Sequence, residues 1–505
     1  MKCLEFAKVV LAVVAVYLAT VAGLHSQTFK TFDKFSGPDG AYPYLGSLVQ
    51  GTDGNLYGTT ASGGVGFGSP CPVFGCGTVF KVTPGGRLTT LYEFCSQANC
   101  ADGGGPAAGL SLGTDGHFYG TTQGGGVYGA GTVFKITSSG VFTSLYSFCA
   151  ENACSDGTNP RGTLTQASNG NFFGTTTLGG AYNSGTVFEI TQGGKFSTLY
   201  SFCRAGYPCL DGNGPWAGLV QGTNGSLFGT TAYGGSTGEG TVFEITLSGK
   251  FKLLHSFCSA VDCADGKFPY AAMIQSTDGN FYGTTSQGGI SSGTVFKITP
   301  GGTLTTLYDF GSCTNGGCPD GASPVAGLIE ASDENFYGTT QIGGINGALC
   351  GSLGCGVVFK ITSSGQITVL HDFCSQPECG DGFSPEAGLA QATNGTFYGM
   401  AISGGSTADN CSPDGCGTVF GFSIGLTPFI EAVPNFGKAG RVIGILGNNL
   451  KDTTSVTFDG ALAAFEVISD TYVKAEVPVG ASTGLLQLTT STTTLSSRES
   501  FFVTP

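Results

Sequence analysis

Nucleophiles, bases and metal ligands are sparse in this chain of 505 residues, which holds 4 histidines, 34 acidic and 20 basic residues and 19 cysteines. His25 sits at the edge of the hydrophobic N-terminus, while His117, His255 and His371 each stand where sister segments carry another residue. His117 takes an Asn or Ser position in a turn; His255 and His371 take a Tyr position in a strand. Histidine suits general-base and ligand roles, but a residue that replaces a routine neighbour in a recurring pattern reads first as a structural substitute. No Ser-His-Asp or Cys-His set can be assembled. The sequence therefore assigns no catalytic residue and no metal ligand.

Seven aspartates recur in Asp-Gly pairs, at Asp39, Asp102, Asp156, Asp211, Asp265, Asp320 and Asp381. A ring of carboxylates could take calcium, the one cofactor left open here. The simpler reading is a turn in which Asp accepts backbone amides. Asp53, Asp115 and Asp278 alternate with Asn169, Asn224 and Asn394 at a second turn, and an exchange of Asp for Asn fits turn geometry rather than an acid catalyst. Four residues after each Asp-Gly aspartate comes a proline, followed by a residue that varies between segments: Tyr44, Ala107, Arg161, Trp216, Tyr270, Val325 and Glu386. Variation on a constant frame resembles a binding surface. Tyr44, Arg161, Trp216, Tyr270 and Glu386 are the candidate ligand-binding residues, with the aromatics suited to stacking on sugar rings or anchoring a protein. Ordinary packing accounts equally well for the aromatics, and solvation is the preferred reading of Arg161 and Glu386.

Setting aside Cys3, the cysteines fall into nine local pairs: Cys71/Cys76, Cys95/Cys100, Cys149/Cys154, Cys203/Cys209, Cys258/Cys263, Cys313/Cys318, Cys350/Cys355, Cys374/Cys379 and Cys411/Cys416. Zinc sites join tighter pairs into sets of four. Nine pairs that recur with the repeat read instead as disulfides of an oxidising compartment, each contributing about 2 kcal/mol by closing a short loop.

These residues are positioned by a repeat. Successive Asp-Gly starts are 63, 54, 55, 54, 55 and 61 residues apart, near the length of propeller blades. One unit supplies four strands, as in GLSLG (109–113), HFYGTT (117–122), GTVFKIT (131–137) and VFTSLYSF (141–148), with the Asp115-Gly116 turn between the first two. Four antiparallel strands repeated radially make a blade. The seventh unit ends at GTVFGFS (417–423) and lacks its fourth strand, and TFKTFDKF (28–35) stands spare before the first unit. An open solenoid has no need of a split unit. The expected fold is all-β: a seven-bladed β-propeller closed by an N-terminal strand, followed by a small immunoglobulin-like β-sandwich. In such a blade the second-to-third and fourth-to-first connections share one face, which gathers all nine cysteine pairs. The loops 61–76, 341–355 and 402–416 are about twice the usual length, and ring closure makes their units neighbours. They form either a ligand wall or tolerated surface growth.

The remaining chain sets the compartment. Lys2 and Lys8 precede an apolar run over 9–24, read as a signal peptide cleaved after Ala22 or Ser26, in preference to a short membrane anchor. No second apolar run follows, so no membrane span is expected in the mature chain. No basic block exists, the net charge is −14, and nucleic acid is not an expected partner. Expected boundaries are 1–26 for the signal, 27–425 for the propeller and 426–505 for the sandwich. In the last segment RVIGILG (441–447), SVTFDG (455–460), AAFEVISD (463–470), YVKAEVP (472–478), LLQLTT (485–490) and SFFV (500–503) read as short strands.

That segment, with its prolines Pro428 and Pro434, its GRVIGILG and SVTFDG runs and its closing FFV, resembles the IPT/TIG immunoglobulin-like family. The repeats, with their GLVQGTNG-, YGTT-, GTVFKIT- and TTLY-like runs, resemble the GloVer tandem repeats of exported bacterial proteins. The first resemblance implies a spacing or binding domain. The second implies export and an extracellular or surface location, and it carries no catalytic residues. The function expected is thus a secreted, non-catalytic binding or structural protein whose stapled face takes a polysaccharide or a surface protein. The alternative is a polysaccharide hydrolase or lyase on the same scaffold, for which Glu386 and the Asp-Gly aspartates are the available carboxylates. A passive envelope spacer is the third reading.

Overall fold

The repeats fold into seven four-stranded sheets in the computed structural model, which describes residues 27–504 except 65–74, 291, 312, 314–316, 347–349, 351–352, 406–410 and 412–413. The expected signal peptide and the middles of the three longer loops lie outside the described residues. The second sheet is typical: Ser111–Leu112, Phe118–Thr122, Thr132–Ile136 and Phe142–Ser147, paired antiparallel in chain order. Its second strand is buried throughout and its third at all but Lys135, whereas the fourth is half-exposed. A strand covered on both faces loses polar alternation, which is why these stretches read as unbroken Phe, Tyr, Val and Thr. Gly120 in the second strand is needed for space: a Cβ there would stand 2.5 Å from Phe134 Cζ.

The innermost strand is shorter than the expected 109–113, with only Ser111–Leu112 in the ladder. The preceding residues face a neighbouring repeat instead of their own sheet. A Cβ on Gly46 would lie 2.6 Å from Gly109 N, and one on Gly162 would lie 2.6 Å from Gly218 N.

Sheets are joined by bonds that recur from repeat to repeat. A glutamine or glutamate ending the innermost strand accepts an amide from the preceding repeat's turn: Thr114 N–H donates to Gln166 (3.0 Å), Ser168 to Gln221 (2.8 Å), Thr223 to Gln275 (2.9 Å), Thr277 to Glu330 (3.1 Å) and Ser332 to Gln391 (3.1 Å). The seventh repeat makes the same bond to the first, from Thr393 N–H to Gln50 at 2.8 Å. The first repeat makes no such bond to the second, where Leu112 occupies the position. The seventh sheet is itself composite: Thr28–Lys34 pairs antiparallel with Thr418–Ser423, Thr28 opposite Ser423 and Lys34 opposite Thr418. Phe32 of that first strand fills the space above Gly421, where a Cβ would meet its ring at 2.2 Å.

The C-terminal segment is a β-sandwich. One sheet joins Glu431–Val433, Val442–Leu446, Tyr472–Glu476 and Phe465–Ser469; the other joins Phe436–Gly437, Thr494–Val503, Gly484–Thr490, Thr453–Phe458 and Ala461–Leu462. Ile443, Ile445, Val456, Val473, Leu486 and Phe501 fill its core. The two strands over 431–437 were not expected, and the last strand begins at Thr494 rather than at 500. In that polar stretch Leu495, Ser497 and Phe501 face inward, and Ser497 Oγ accepts the Leu486 N–H at 3.0 Å. The sandwich sits against the first-to-second-strand turns: Phe429 N–H donates to Thr393 O (3.0 Å), Asn448 Nδ2 to Thr393 Oγ1 (2.7 Å) and Thr471 Oγ1 to Thr52 O (2.8 Å).

Candidate functional site

The residue before each of the seven repeat prolines holds a left-handed backbone: Tyr42 (φ 53°), Gly105 (63°), Asn159 (57°), Gly214 (61°), Phe268 (58°), Ser323 (55°) and Ser384 (52°). Bulky residues persist in that region only when the surroundings over-determine them. Here each residue is bonded on both sides. Phe268 N–H donates to Glu239 O at 2.9 Å while its carbonyl accepts Ser286 N–H at 3.2 Å, and Tyr42 N–H donates to Cys416 O at 2.9 Å while its carbonyl accepts Ala61 N–H at 3.0 Å. These pins fix where the residue after the proline emerges.

A cavity of about 340 Å³ opens there, and all seven repeats contribute to its lining, including Arg161, Trp216, Tyr270 and Val325. The Arg161 guanidinium lies 4.3 Å from the Trp216 ring centroid, and Trp216 meets Tyr270 edge-on at 5.1 Å. Arg161 Nε donates to Asn159 Oδ1 at 3.0 Å, which fixes the fork over the indole. The Tyr270 hydroxyl lies 3.2 Å from that of Tyr233, and Phe268 stacks beside Tyr270 at 6.4 Å. Burial lowers Arg161 from its ordinary value, and nearby Tyr44 and Tyr233 oppose the shift.

Tyr44 and Glu386 stand beside this group rather than in the cavity lining. Burial raises Tyr44, Glu386 raises it further and Arg161 lowers it, which places Tyr44 in the field of both. Glu386 departs from the solvated residue that its charge suggested: it is only 6% exposed. Burial pushes its carboxyl up, against a hydrogen bond from Gln341 Nε2 at 2.6 Å. Sequence reasoning missed Tyr233, Phe268 and Gln341. The available signal was that Phe268 is aromatic where five of its six sister residues are small or polar, and Tyr233 where four of six are.

Among the described residues eight of the nine expected disulfides are present: Cys95–Cys100, Cys149–Cys154, Cys203–Cys209, Cys258–Cys263, Cys313–Cys318, Cys350–Cys355, Cys374–Cys379 and Cys411–Cys416. Cys71 lies outside the described residues, and its expected partner Cys76 is disulfide-bonded. The sulfurs of Cys350, Cys355, Cys374 and Cys379 lie within 4.8 Å of one another, so the long-loop staple of the sixth repeat packs on the staple that follows its outer strand.

The Asp-Gly aspartates brace these staples. Asp102 accepts the amides of Ser96 (3.0 Å) and Gln97 (3.3 Å) and the Tyr92 hydroxyl (2.8 Å). Asp265 and Asp381 accept the same amides, with His255 Nε2 and His371 Nε2 at 2.9 Å in place of the tyrosine. The two histidines are thus structural substitutes for Tyr. Among the described residues, the groupings of three or more ligand-type side chains are cysteines, and the aspartates do not converge on a common point. His117 Nδ1 lies 2.8 Å from Asp115 in the opposite turn.

Residues 15–209 and 205–420 match the family described as Gloeobacter/Verrucomicrobia repeat, and residues 428–503 match the IPT/TIG domain. No curated protein matches the chain. Among solved structures, a fungal alcohol oxidase in complex with copper superposes with a TM-score of 0.50 at 12% identity, over 92% of this chain and 98% of that one. The extracellular domain of a putative hybrid two-component system from B. thetaiotaomicron gives 0.49 at 12% identity, over 93% of this chain and 54% of that one. At such identity the first likeness is one of fold. Among the described residues, no helix is long and apolar enough to cross a membrane.

Proposed function

This chain belongs to the Gloeobacter/Verrucomicrobia repeat family and ends in an IPT/TIG domain, and from that premise we propose that it is an exported, non-catalytic polysaccharide-binding protein. Its scaffold in this reading is a seven-bladed β-propeller over 27–425, closed by the N-terminal strand, with the sandwich over 426–505 and a signal peptide over 1–26. Seven four-stranded sheets, the Thr28–Lys34 pairing and the glutamine bond from the last repeat back to the first support the ring. Eight disulfides support an oxidising, extracellular location.

The observation that carries the ligand class is the Arg161–Trp216–Tyr270 group at the cavity mouth. Flat aromatic faces suit the apolar faces of sugar rings, while the Arg161 fork and the Tyr233 and Tyr270 hydroxyls supply hydrogen bonds at the edges. Screening the purified protein on a glycan array and titrating retained glycans by calorimetry tests this. Trp216→Ala should weaken binding about 30-fold, the size of a hot-spot residue. An array with no retained glycan overturns the reading, and retention of a surface protein by the same residues redirects it.

Glu386 favours one second reading, a hydrolase or lyase, because a carboxyl raised by burial is what a general acid requires. Release of reducing ends or unsaturated products from a polysaccharide panel, abolished by Glu386→Gln, would establish turnover. Its absence leaves binding alone.

A further inference from the structure

The sandwich covers the end of the ring opposite the aromatic group, and it does so on the axis. Every repeat borders it through its innermost strand or the turn that follows. Thr52 and Thr393, of the first and seventh repeats, bond to it directly. Ser111 and Gln166 of the second and third share a cavity with Phe429 and Glu431. Gln221 of the fourth shares one with Phe436, and Thr277 and Glu330 of the fifth and sixth share another with Phe429 and Ser497.

A second cavity lies on the sandwich side of the one beside Trp216 and borders the first, second and third repeats. The upper, of about 340 Å³, and the lower, of about 350 Å³, have Val49, Leu110 and Thr165 in common. The upper is lined by repeat residues alone, whereas the lower is floored by the sandwich segment from Phe429 to Phe436. Phe429 and Ile430 in that floor are themselves buried, and Ile430 N–H is tied to Ser496 O at 3.1 Å. A linear chain following the axis past Trp216 therefore meets packed protein after two small cavities, each at the small-ligand end of binding-site volumes.

We propose that the site is a blind shaft that takes the terminus of a polysaccharide end-on, and that the C-terminal domain sets this specificity by flooring it. The proposal rests on the glycan-binding reading. Internal segments of a polymer are rejected because a chain cannot thread. Binding sites are then counted per chain end and not per sugar.

The test uses the full mature chain and a glycan retained on the array, offered as size-defined linear oligomers, as long polymer, as polymer with a bulky tag coupled in turn to each terminus, and as a cyclic form of the same linkage where one exists. The proposal expects one protein per chain in calorimetry at every length. It also expects affinity that levels off after the first few sugars, a loss of at least tenfold on tagging one of the two termini, and no binding of the cyclic form. Trp216→Ala should remove binding of the short oligomers as well. Several proteins per long chain, or equal binding of cyclic and doubly tagged glycans, overturns the end-on mode while leaving glycan binding intact. Failure to bind any glycan overturns both.

Discussion

The turns between the first and second strands solve one bonding problem in two ways. In the fifth and sixth repeats an Asp, a Tyr and a Lys converge: Asp333 Oδ2 accepts the Tyr337 hydroxyl and the Lys360 ammonium, both at 2.8 Å, and Asp278 does the same with Tyr282 and Lys297. In the third and fourth repeats all three residues have changed: Asn169 and Asn224 replace Asp, Phe173 and Phe228 replace Tyr, and Glu189 and Glu244 replace Lys. Asn169 Nδ2 donates to Glu189 at 3.1 Å, and Asn224 Nδ2 donates to Glu244 at 3.0 Å. One bond is constant across both solutions, the amide two residues on donating to the Asp or Asn side-chain oxygen: 3.1 Å at Asn169, 3.0 Å at Asn224, 2.9 Å at Asp278 and 3.3 Å at Asp333. The backbone therefore demands only an oxygen. The second atom of the side chain decides the rest. A carboxylate oxygen accepts and calls for donors, whereas an amide nitrogen donates, calls for an acceptor and leaves a nearby tyrosine hydroxyl without one.

If the three residues form a unit, changing one alone should cost more than changing all. Lys360→Glu sets a carboxylate against Asp333 and removes a charge-assisted bond, and we expect a loss of about 2 kcal/mol. The triple variant Asp333→Asn, Tyr337→Phe, Lys360→Glu rewrites the sixth repeat in the form of the third and should recover to within about 0.5 kcal/mol of the parent. Urea unfolding with the m-value held constant checks both. A triple variant no more stable than Lys360→Glu alone would dissolve the unit into independent contacts.

Acid should separate the two solutions next. Burial would raise Asp115, Asp278 and Asp333, but hydrogen bonds from His117, Lys297 and Lys360 respectively, together with those from the neighbouring tyrosines, outweigh it and hold all three below the ordinary carboxylate range. A carboxyl depressed in the folded state contributes stability that is present above its unfolded value of about 4 and is lost as pH falls below it. The parent should therefore weaken between about pH 5 and 3 more steeply than the triple variant, which lacks Asp333. Parallel acid limbs in unfolding midpoints would contradict the assignment.

Much of this architecture was legible because it repeats. Seven Asp-Gly starts, the spare TFKTFDKF and the paired cysteines announced seven four-stranded sheets, the strand borrowed from the N-terminus and the eight disulfides that are described. Non-repeating features were harder to read. The strands over 431–437 are two or three residues long, and the strand Thr494–Val503 is rich in Ser and Thr, so neither offered an apolar run. The exchange of Asp for Asn was visible, but its meaning lay in partners 4 and 27 residues away in the sixth repeat. At the candidate site Trp216, Tyr270 and Arg161 stood out by variation against a constant frame. Glu386 was misread as solvated because its burial depends on Gln341, a residue 45 positions earlier in a different repeat.

Removing a single hydroxyl isolates a smaller part of the contrast. Tyr337→Phe leaves Asp333 with Lys360 and the turn amide, so the cost is one hydrogen bond, about 1 kcal/mol in unfolding free energy. The same change beside Lys360→Glu should cost more than it does alone, because the hydroxyl is then the side-chain donor left to a crowded pair of carboxylates. Additive losses would mean that the tyrosine and the lysine serve Asp333 separately.

The reverse exchange gives the smallest effect and the opposite sign with pH. Asn224→Asp in the fourth repeat keeps the oxygen that accepts the Ser226 amide and replaces the Nδ2 donor, 3.0 Å from Glu244, with a second carboxylate oxygen. Two carboxylates sharing a site disfavour the second ionisation, so one of them titrates above its unfolded value. A raised carboxyl stabilises only while protonated, so the penalty is present near neutrality and is relieved as pH falls toward 4. The turn is exposed and Lys252 stands 3.7 Å from Glu244, which holds the loss to about 0.5 kcal/mol at pH 7. Unfolding midpoints at pH 7 and pH 4.5 should converge with those of the parent. A variant that loses ground on acidification, as the Asp-bearing repeats are expected to do, would show that the aspartate recruits Lys252 and builds the other solution in place.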